Sequence, residues 1–329
     1  MSHLLDIQDL VSVFHGREGS VRAVDGVSLH VDAGEMLGLV GESGCGKTAL
    51  ALSVLRLLGG SGRTVSGRIL WRGRDLLALS PRELRSVRGR EIAMIFQEPM
   101  TSLNPVFTVG NQIAEGIVVH QKKSWKAARA EAVELLRTVA MPDPEHRVHD
   151  YPHQMSGGMR QRVLMAMALS CHPALIIADE PTTALDVTIQ AQILDLLQQL
   201  RRERGMAVLL ITHDLGVVAE VADRVAIMYT GRIVEEAPVE RLFSSPRHPY
   251  TVGLLGSLPA PGRAGASRKL PAIPGRVPQP GHLPEGCHFA PRCPDVFEAC
   301  RKVDPPLYPL GEGCTAACEK YKEAGPVLS

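Results

Sequence analysis

Gly41-Glu42-Ser43-Gly44-Cys45-Gly46-Lys47-Thr48 follows the apolar run Met36 to Val40 and precedes a helical run, Ala49 to Leu58. It satisfies G-x-x-x-x-G-K-[ST] at every fixed position, and a strand before it with a helix after it is the setting that pattern requires. Glycine lets the backbone curl until successive N–H groups face phosphate oxygens, and the helix N-terminus adds partial positive charge. Lys47 is expected to reach the β- and γ-phosphates of a nucleoside triphosphate, and Thr48 to ligate Mg²⁺.

On both sides of this loop, the first 245 or so residues alternate short apolar runs with helical patterns, which predicts an α/β fold. Met36 to Val40, Ile92 to Phe96, Leu175 to Ala178 and Met206 to Ile211 fit buried strands. Each is followed by a candidate chemical group: the phosphate loop, Gln97, Asp179-Glu180 and His213. Between the second and third strands, Ser124 to Met141 is alanine-rich and helical, with Val133, Leu136 and Val139 near one face. Ile189, Ile193, Leu196, Leu197 and Leu200 keep helical spacing, and Gly205 suits a C-terminal cap.

Asp179 and Glu180 end an apolar run and precede Pro181-Thr182-Thr183-Ala184-Leu185-Asp186. Asp179 is expected to hold Mg²⁺ through water, and Glu180 to polarise an attacking water. Met155-Ser156-Gly157-Gly158-Met159-Arg160-Gln161-Arg162 opens a further helical run to Leu169, so the Ser156 hydroxyl and nearby N–H groups form a second anion site. One chain does not need two triphosphate cradles for one ATP.

At 329 residues and 45% hydrophobic, the chain can bury a substantial core and hold two domains. Lys and Arg number 36 against 35 Asp and Glu, and the net charge of +1 supplies no overall attraction to nucleic acid or anionic lipid. No apolar stretch approaches the roughly 20 residues that cross a bilayer. The start, Met1-Ser2-His3-Leu4-Leu5-Asp6, lacks a basic-then-apolar signal, which predicts a cytoplasmic chain. Membrane association is then expected through protein partners.

Taken in order, the phosphate loop, Gln97, Ser156-Gly157-Gly158, Asp179-Glu180 and His213 resemble the motifs of an ATP-binding-cassette (ABC) ATPase. The resemblance implies a P-loop α/β domain with a helical subdomain that includes Ser124 to Met141, acting on ATP with Mg²⁺. It implies that Gln97 senses Mg²⁺ and the attacking water, and that His213 contacts the γ-phosphate. Phe14, the only aromatic residue between positions 1 and 70, would stack on adenine; it suits a core position equally. The family's usual L-S-G-G-Q segment here has Met155 and Met159 at its ends and keeps Ser156, Gly157 and Gly158, which make the phosphate contacts. In that family this segment grips the γ-phosphate held by the opposite subunit, so the resemblance implies two ATPase subunits closing on ATP. Glu98 to Pro105 would lie near the face that docks on a membrane partner, although Asn104-Pro105 is otherwise an ordinary turn signal.

Composition changes near Pro246, where 15 of the 24 prolines begin to accumulate, in a stretch expected to be too irregular for helices or strands. This predicts domains at 1–245 and 246–329, with Pro259 to Pro284 an extended linker. Of 7 cysteines, Cys45 and Cys171 are isolated, whereas Cys287, Cys293, Cys300, Cys314 and Cys318 crowd the last segment. In a reducing cytoplasm such a cluster suggests metal before disulfide. Together with Pro246-Arg247-His248-Pro249-Tyr250-Thr251 and Gly286-Cys287-His288-Phe289-Ala290-Pro291-Arg292-Cys293-Pro294, the tail resembles the C-terminal extension of oligopeptide and dipeptide importer ATPases. Nickel importers share related tails. The resemblance implies a 4Fe-4S cluster on Cys287, Cys293, Cys300 and Cys318, with Cys318 matching the family spacing better than Cys314; thiolates alone also fit zinc. It further implies a bacterial peptide-import ATPase, peripheral on the cytoplasmic face of the inner membrane. Its partners would be a related ATPase as a heterodimer, two permease subunits and an external binding protein, with no nucleic acid. These motifs leave nickel import open, and also a soluble ABC ATPase that remodels DNA or ribosomes.

Overall fold

The computed structural model describes residues 3–16, 19–183, 186–258, 273–279 and 281–325. Ala184 and Leu185 of the run after Glu180, and residues 259–272 and 280 of the expected linker, lie outside them. The chain divides into two compact units, one drawn from Met1–His30, Met36–Leu77 and Thr212–Ser329, the other from Val31–Glu35 and Ala78–Ile211.

In the first unit Leu5–Gly16 pairs antiparallel with Gly62–Trp71, in a sheet that also holds Gly19–Val31 and Arg74–Asp75. Alternating burial along Leu5–Gly16 marks a strand with one solvated face. Met36–Val40 is different: all five residues are buried, as a strand covered on both faces requires. It pairs in parallel with Arg224–Tyr229, which turns back antiparallel into Arg232–Pro238. The helix after the phosphate loop, Lys47–Val54, is shorter than the apolar run predicts, because Arg56 takes a left-handed backbone (φ 51°).

The second unit stacks Ile92–Ile95, Leu175–Asp179 and Ala207–Thr212 in parallel register, with Ala178 opposite Leu210 and Asp179 opposite Ile211. Its helices Val109–Gln121, Trp125–Thr138 and Gly157–Leu169 begin at Thr108, Ser124 and Ser156, whose hydroxyls accept from backbone N–H groups in the first turn. The buried stripe of Trp125–Thr138 is Ala128, Ala132 and Leu135, with Leu136 beside it, while Val133 is only half-buried. The alanines set the face because i, i+4, i+7 spacing continues through them to Val139. Val187–Arg204 is capped by Asp186, which accepts from Ile189 N at 2.9 Å, and ends at Gly205 with φ 63°, the stop its sequence predicts.

The expectation of an irregular tail is overturned. Pro249–Gly256 is an α-helix, since Pro249 sits in its first turn, where a missing N–H costs nothing. Thr315–Ala316 pairs with Glu236 and Glu235 of Arg232–Pro238, and Tyr250 and Phe289 enter one buried cluster with Val40, Ile227 and Tyr229. The tail thereby completes the core of the first unit.

His248 caps that helix, its Nδ1 accepting from Tyr250 N at 3.1 Å, while Glu235 accepts from Arg247 N at 2.7 Å and His248 N at 2.8 Å. Burial lowers the His248 pKa from 6.5 to about 4, so the folded state holds the neutral ring. A depressed pKa gives stability that is complete above pH 6.5 and lost as pH falls through 4. The loss is about 3 kcal/mol, partly offset by Glu235, whose pKa burial raises. His248→Asn keeps a cap acceptor without the titration, so its urea-unfolding free energy is expected to fall less steeply between pH 7 and 4 than the parent's. Parallel curves would refute this.

Candidate active site

The phosphate loop is shaped by contacts that exclude side chains. A Cβ at Gly41 would lie 2.2 Å from Met228 O, and one at Gly46, where φ is +110°, would lie 2.1 Å from Ala23 O. Gly44 also has positive φ, 80°, so glycine there relieves backbone strain. Ser43, Gly44 and Thr48 are exposed at the mouth, while Cys45 and Lys47 are buried. Lys47 Nζ donates to Gly41 O at 2.7 Å and Glu42 O at 3.1 Å. It lies across its own loop, with its ammonium satisfied by carbonyls that phosphate oxygens could replace. Burial raises the Cys45 thiol's pKa, with Lys47 opposing.

Two features of the loop were missed from sequence. Arg292, from the tail, makes a fork with the Glu42 carboxylate at 2.7 and 3.1 Å, and Glu42 N donates to Tyr250 Oη at 3.0 Å. Separations of 250 and 208 residues leave no local signal for either. Phe14 is half-buried and pairs across the sheet with Gly62, whose missing side chain leaves room for the ring.

In the second unit the structure brings Gln97 and Glu180 together: Gln97 Nε2 donates to Glu180 Oε2 at 3.0 Å. Thr183 Oγ1 donates to the same oxygen at 2.8 Å, a partner that sequence reasoning quoted only as context. Glu180 has φ 47°, a strained region for a residue with a side chain, of the kind concentrated at functional sites. Its N–H donates to Ile211 O at 2.8 Å, and Asp179 before it is 1% exposed. Ser156 caps Gly157–Leu169, accepting from Met159 N at 3.3 Å, and Ser156, Gly157, Gly158, Met159 and Arg162 line one open cavity. Gly158 is required there, since a Cβ would lie 2.8 Å from Ile189 Cγ2. Arg162 was quoted but not assigned; it donates to Val139 O at 2.6 Å and brings a cation to the cavity wall. His213 is exposed directly after Ala207–Thr212, ahead of the helix Leu215–Val221.

Cys287, Cys293, Cys300 and Cys318 all line one small cavity with His248 and Phe289, whereas Cys314 is not among its lining residues. Cys287 N donates to Cys300 O at 2.9 Å, and the Gly286 before it approaches that carbonyl too closely for any side chain. Burial, with added repulsion from Cys300 and Cys318, pushes the Cys287 thiol up to about 11; burial also raises Cys293 and Cys318. No three of these thiols lie within 4.8 Å of one another.

Residues 24–183 match the ABC transporter family, and residues 234–300 match the oligopeptide/dipeptide transporter C-terminal region. A probable peptide ABC transporter ATP-binding protein of Sinorhizobium fredii is 55% identical, over 97% of this chain and 96% of its own. The chain belongs to the ABC transporter ATP-binding proteins. Within that family, the oligopeptide transport ATP-binding protein AppD of Bacillus subtilis is 50% identical over 99% of both chains, and its dipeptide counterpart DppD is 51% identical over 93% and 91%. The ABC cassette fold is shared with solved structures: a dimeric bacterial ABC transporter cassette, MJ0796, aligns with TM-score 0.65 and 26% identity over 71% of this chain and 98% of that one. The same cassette was solved as a post-hydrolysis dimer bound to ADP and Pi, with the same score and coverage. Among the described residues, no helix is long and apolar enough to cross a membrane.

Gly46→Ala would combine a steric clash with a left-handed backbone, a cost of about 2 to 4 kcal/mol at the loop. The variant ABC cassette is expected to lose the rise in thermal midpoint that Mg²⁺-ATP gives the parent. An undiminished rise would show that the loop tolerates a Cβ.

Proposed function

We propose that this chain is the ATP-hydrolysing subunit that powers import of di- or oligopeptides across the cytoplasmic membrane through partner permeases. The observation that carries this is the match, along nearly the whole length and at 50 to 55% identity, to ATP-binding proteins named for peptide, oligopeptide and dipeptide transport. The cassette occupies residues 1–245 and the importer-type extension 246–329. It works as a peripheral protein on the cytoplasmic face of the inner membrane, beside a second ABC ATPase subunit, two permeases and an external binding protein.

Phosphoryl transfer to water is governed by positioning and charge stabilisation. On nucleotide binding, Lys47 exchanges the carbonyls of Gly41 and Glu42 for the β- and γ-phosphates, and the loop's N–H groups from Gly44 onward face the same oxygens. Thr48, Asp179 and Gln97 would hold Mg²⁺, which would supply neutralising positive charge for phosphoryl transfer. Glu180 accepts the proton of the attacking water; Gln97 and Thr183 fix its carboxylate. His213 donates to the γ-phosphate, Phe14 stacks on adenine, and Ser156, Gly157 and Gly158 cover the triphosphate held by the opposite subunit. Closure of that pair, and its release after hydrolysis, drives alternating access in the permeases.

The cysteine cavity fits a resident metal group, since four thiols from separate turns converge on it. The likeness of the tail to importer ATPases supports a 4Fe-4S cluster over zinc, although four thiolates suit either group. Cys287, Cys293, Cys300 and Cys318 would hold it, and the group would stabilise this short tail by cross-linking its turns.

Glu180→Gln is expected to bind ATP normally, to lower steady-state phosphate release about 10² to 10⁴-fold, and to trap the ATPase pair on ATP. Phosphate release at the parental rate would remove Glu180 from its assigned role. Protein purified without oxygen is expected to be brown, with about four iron and four sulfide per chain. Cys318→Ser is expected to abolish the colour and Cys314→Ser to leave it; colourless, iron-free parent protein would rule the cluster out.

A further inference from the structure

Every polar group of Glu42 is engaged. Its N–H donates to Tyr250 Oη at 3.0 Å, its carboxylate takes the Arg292 fork at 2.7 and 3.1 Å, and its carbonyl accepts from Lys47 Nζ at 3.1 Å and Cys45 N at 3.2 Å. The second residue of the phosphate loop is thus a joint, with the tail on one side and the phosphate-binding lysine on the other.

The tail side of that joint is rigid. Arg292 is 5% exposed, and its Nε donates to Pro274 O at 3.0 Å. Its guanidinium lies 5.9 Å from the Tyr229 ring centre and 6.0 Å from that of Phe289. Tyr250 is fully buried, 4.6 Å from Tyr229 and 5.4 Å from Phe289, centre to centre. Burial raises its pKa, and the Arg292–Glu42 contact raises that of Arg292, so Tyr250 keeps its proton and Arg292 its charge. A part-buried ion pair is a poor device for stability alone, because the cost of desolvating the buried Arg292 offsets much of its attraction to the half-buried Glu42. A planar fork instead fixes direction.

We propose that Arg292 and Tyr250 are positioning residues for ATP binding: through the Glu42 carboxylate and N–H they hold the first limb of the phosphate loop in a nucleotide-ready form. This rests on the ATPase assignment above. A preset loop is not ordered at the moment of binding, so its loss weakens affinity more than turnover.

The test compares full-length parent with Arg292→Gln, Arg292→Lys, Glu42→Gln and Tyr250→Phe, measuring the Kd of a fluorescent ATP analogue, KM and kcat for Mg²⁺-ATP, and thermal midpoint. Arg292→Gln and Glu42→Gln are expected to raise Kd and KM about 10-fold, within the usual range for coupling between sites, with kcat changing much less. The double variant is expected to lose little beyond either single one. Arg292→Lys is expected to restore only part, having charge but no fork. Tyr250→Phe deletes one oxygen from an intact ring, so it remains informative if Arg292→Gln does not fold; it is expected to weaken Kd about 3 to 10-fold. Folded variants with parental Kd and KM, whether or not their midpoints fall, would overturn the proposal. A parent that neither binds nor hydrolyses ATP would instead overturn the ATPase assignment.

Discussion

A loop of glycines and exposed N–H groups has no side chains with which to hold itself, so its shape must be imposed from outside. Here the carbonyls of Met228 and Ala23 press on Gly41 and Gly46, and the hydroxyl and guanidinium of the tail engage Glu42. Strand pairing of Met36–Val40 with Arg224–Tyr229 brings Met228 into place, and the Tyr229, Tyr250 and Phe289 rings set the wall behind it. The shape of the loop in the first unit is a product of this enclosure more than of the eight-residue pattern alone.

The second unit solves a different problem. If Glu180 is to take the proton of water, as proposed above, its carboxylate has to be fixed, and a left-handed backbone, Gln97 and Thr183 hold it. Parallel register between Ile92–Ile95 and Leu175–Asp179 brings the ends of those strands side by side. That is why residues 83 positions apart meet at 3.0 Å.

Much of this was legible in the sequence, because the signals are local. Four apolar runs gave four of the strands, Gly205 gave a helix end, and the run after Ser156 gave a helix, each within a few residues of its cause. Cys314, which the family resemblance sets apart from the other four, is not among the residues lining their cavity. Failures came where the cause is distant or positional. Proline counting missed the helix Pro249–Gly256, since proline breaks a helix only in its interior. Arg292 was quoted within Gly286 to Pro294 without a role, because nothing nearby in sequence marks its carboxylate partner. Val133 was placed on the buried face because alanine carries too little hydrophobic weight to show that Ala128 and Ala132 set it.

The interleaving of the first unit also orders events in time. A ribosome releases Glu42 long before Tyr250, Phe289 and Arg292, and the strand partner of Glu235 comes later still, at Ala316. A nascent chain therefore carries a complete G-x-x-x-x-G-K-T signature whose supports from Met228, Tyr250 and Arg292 have not yet been made. The contacts that Tyr250 and Arg292 make with the loop can form only once the tail has been synthesised.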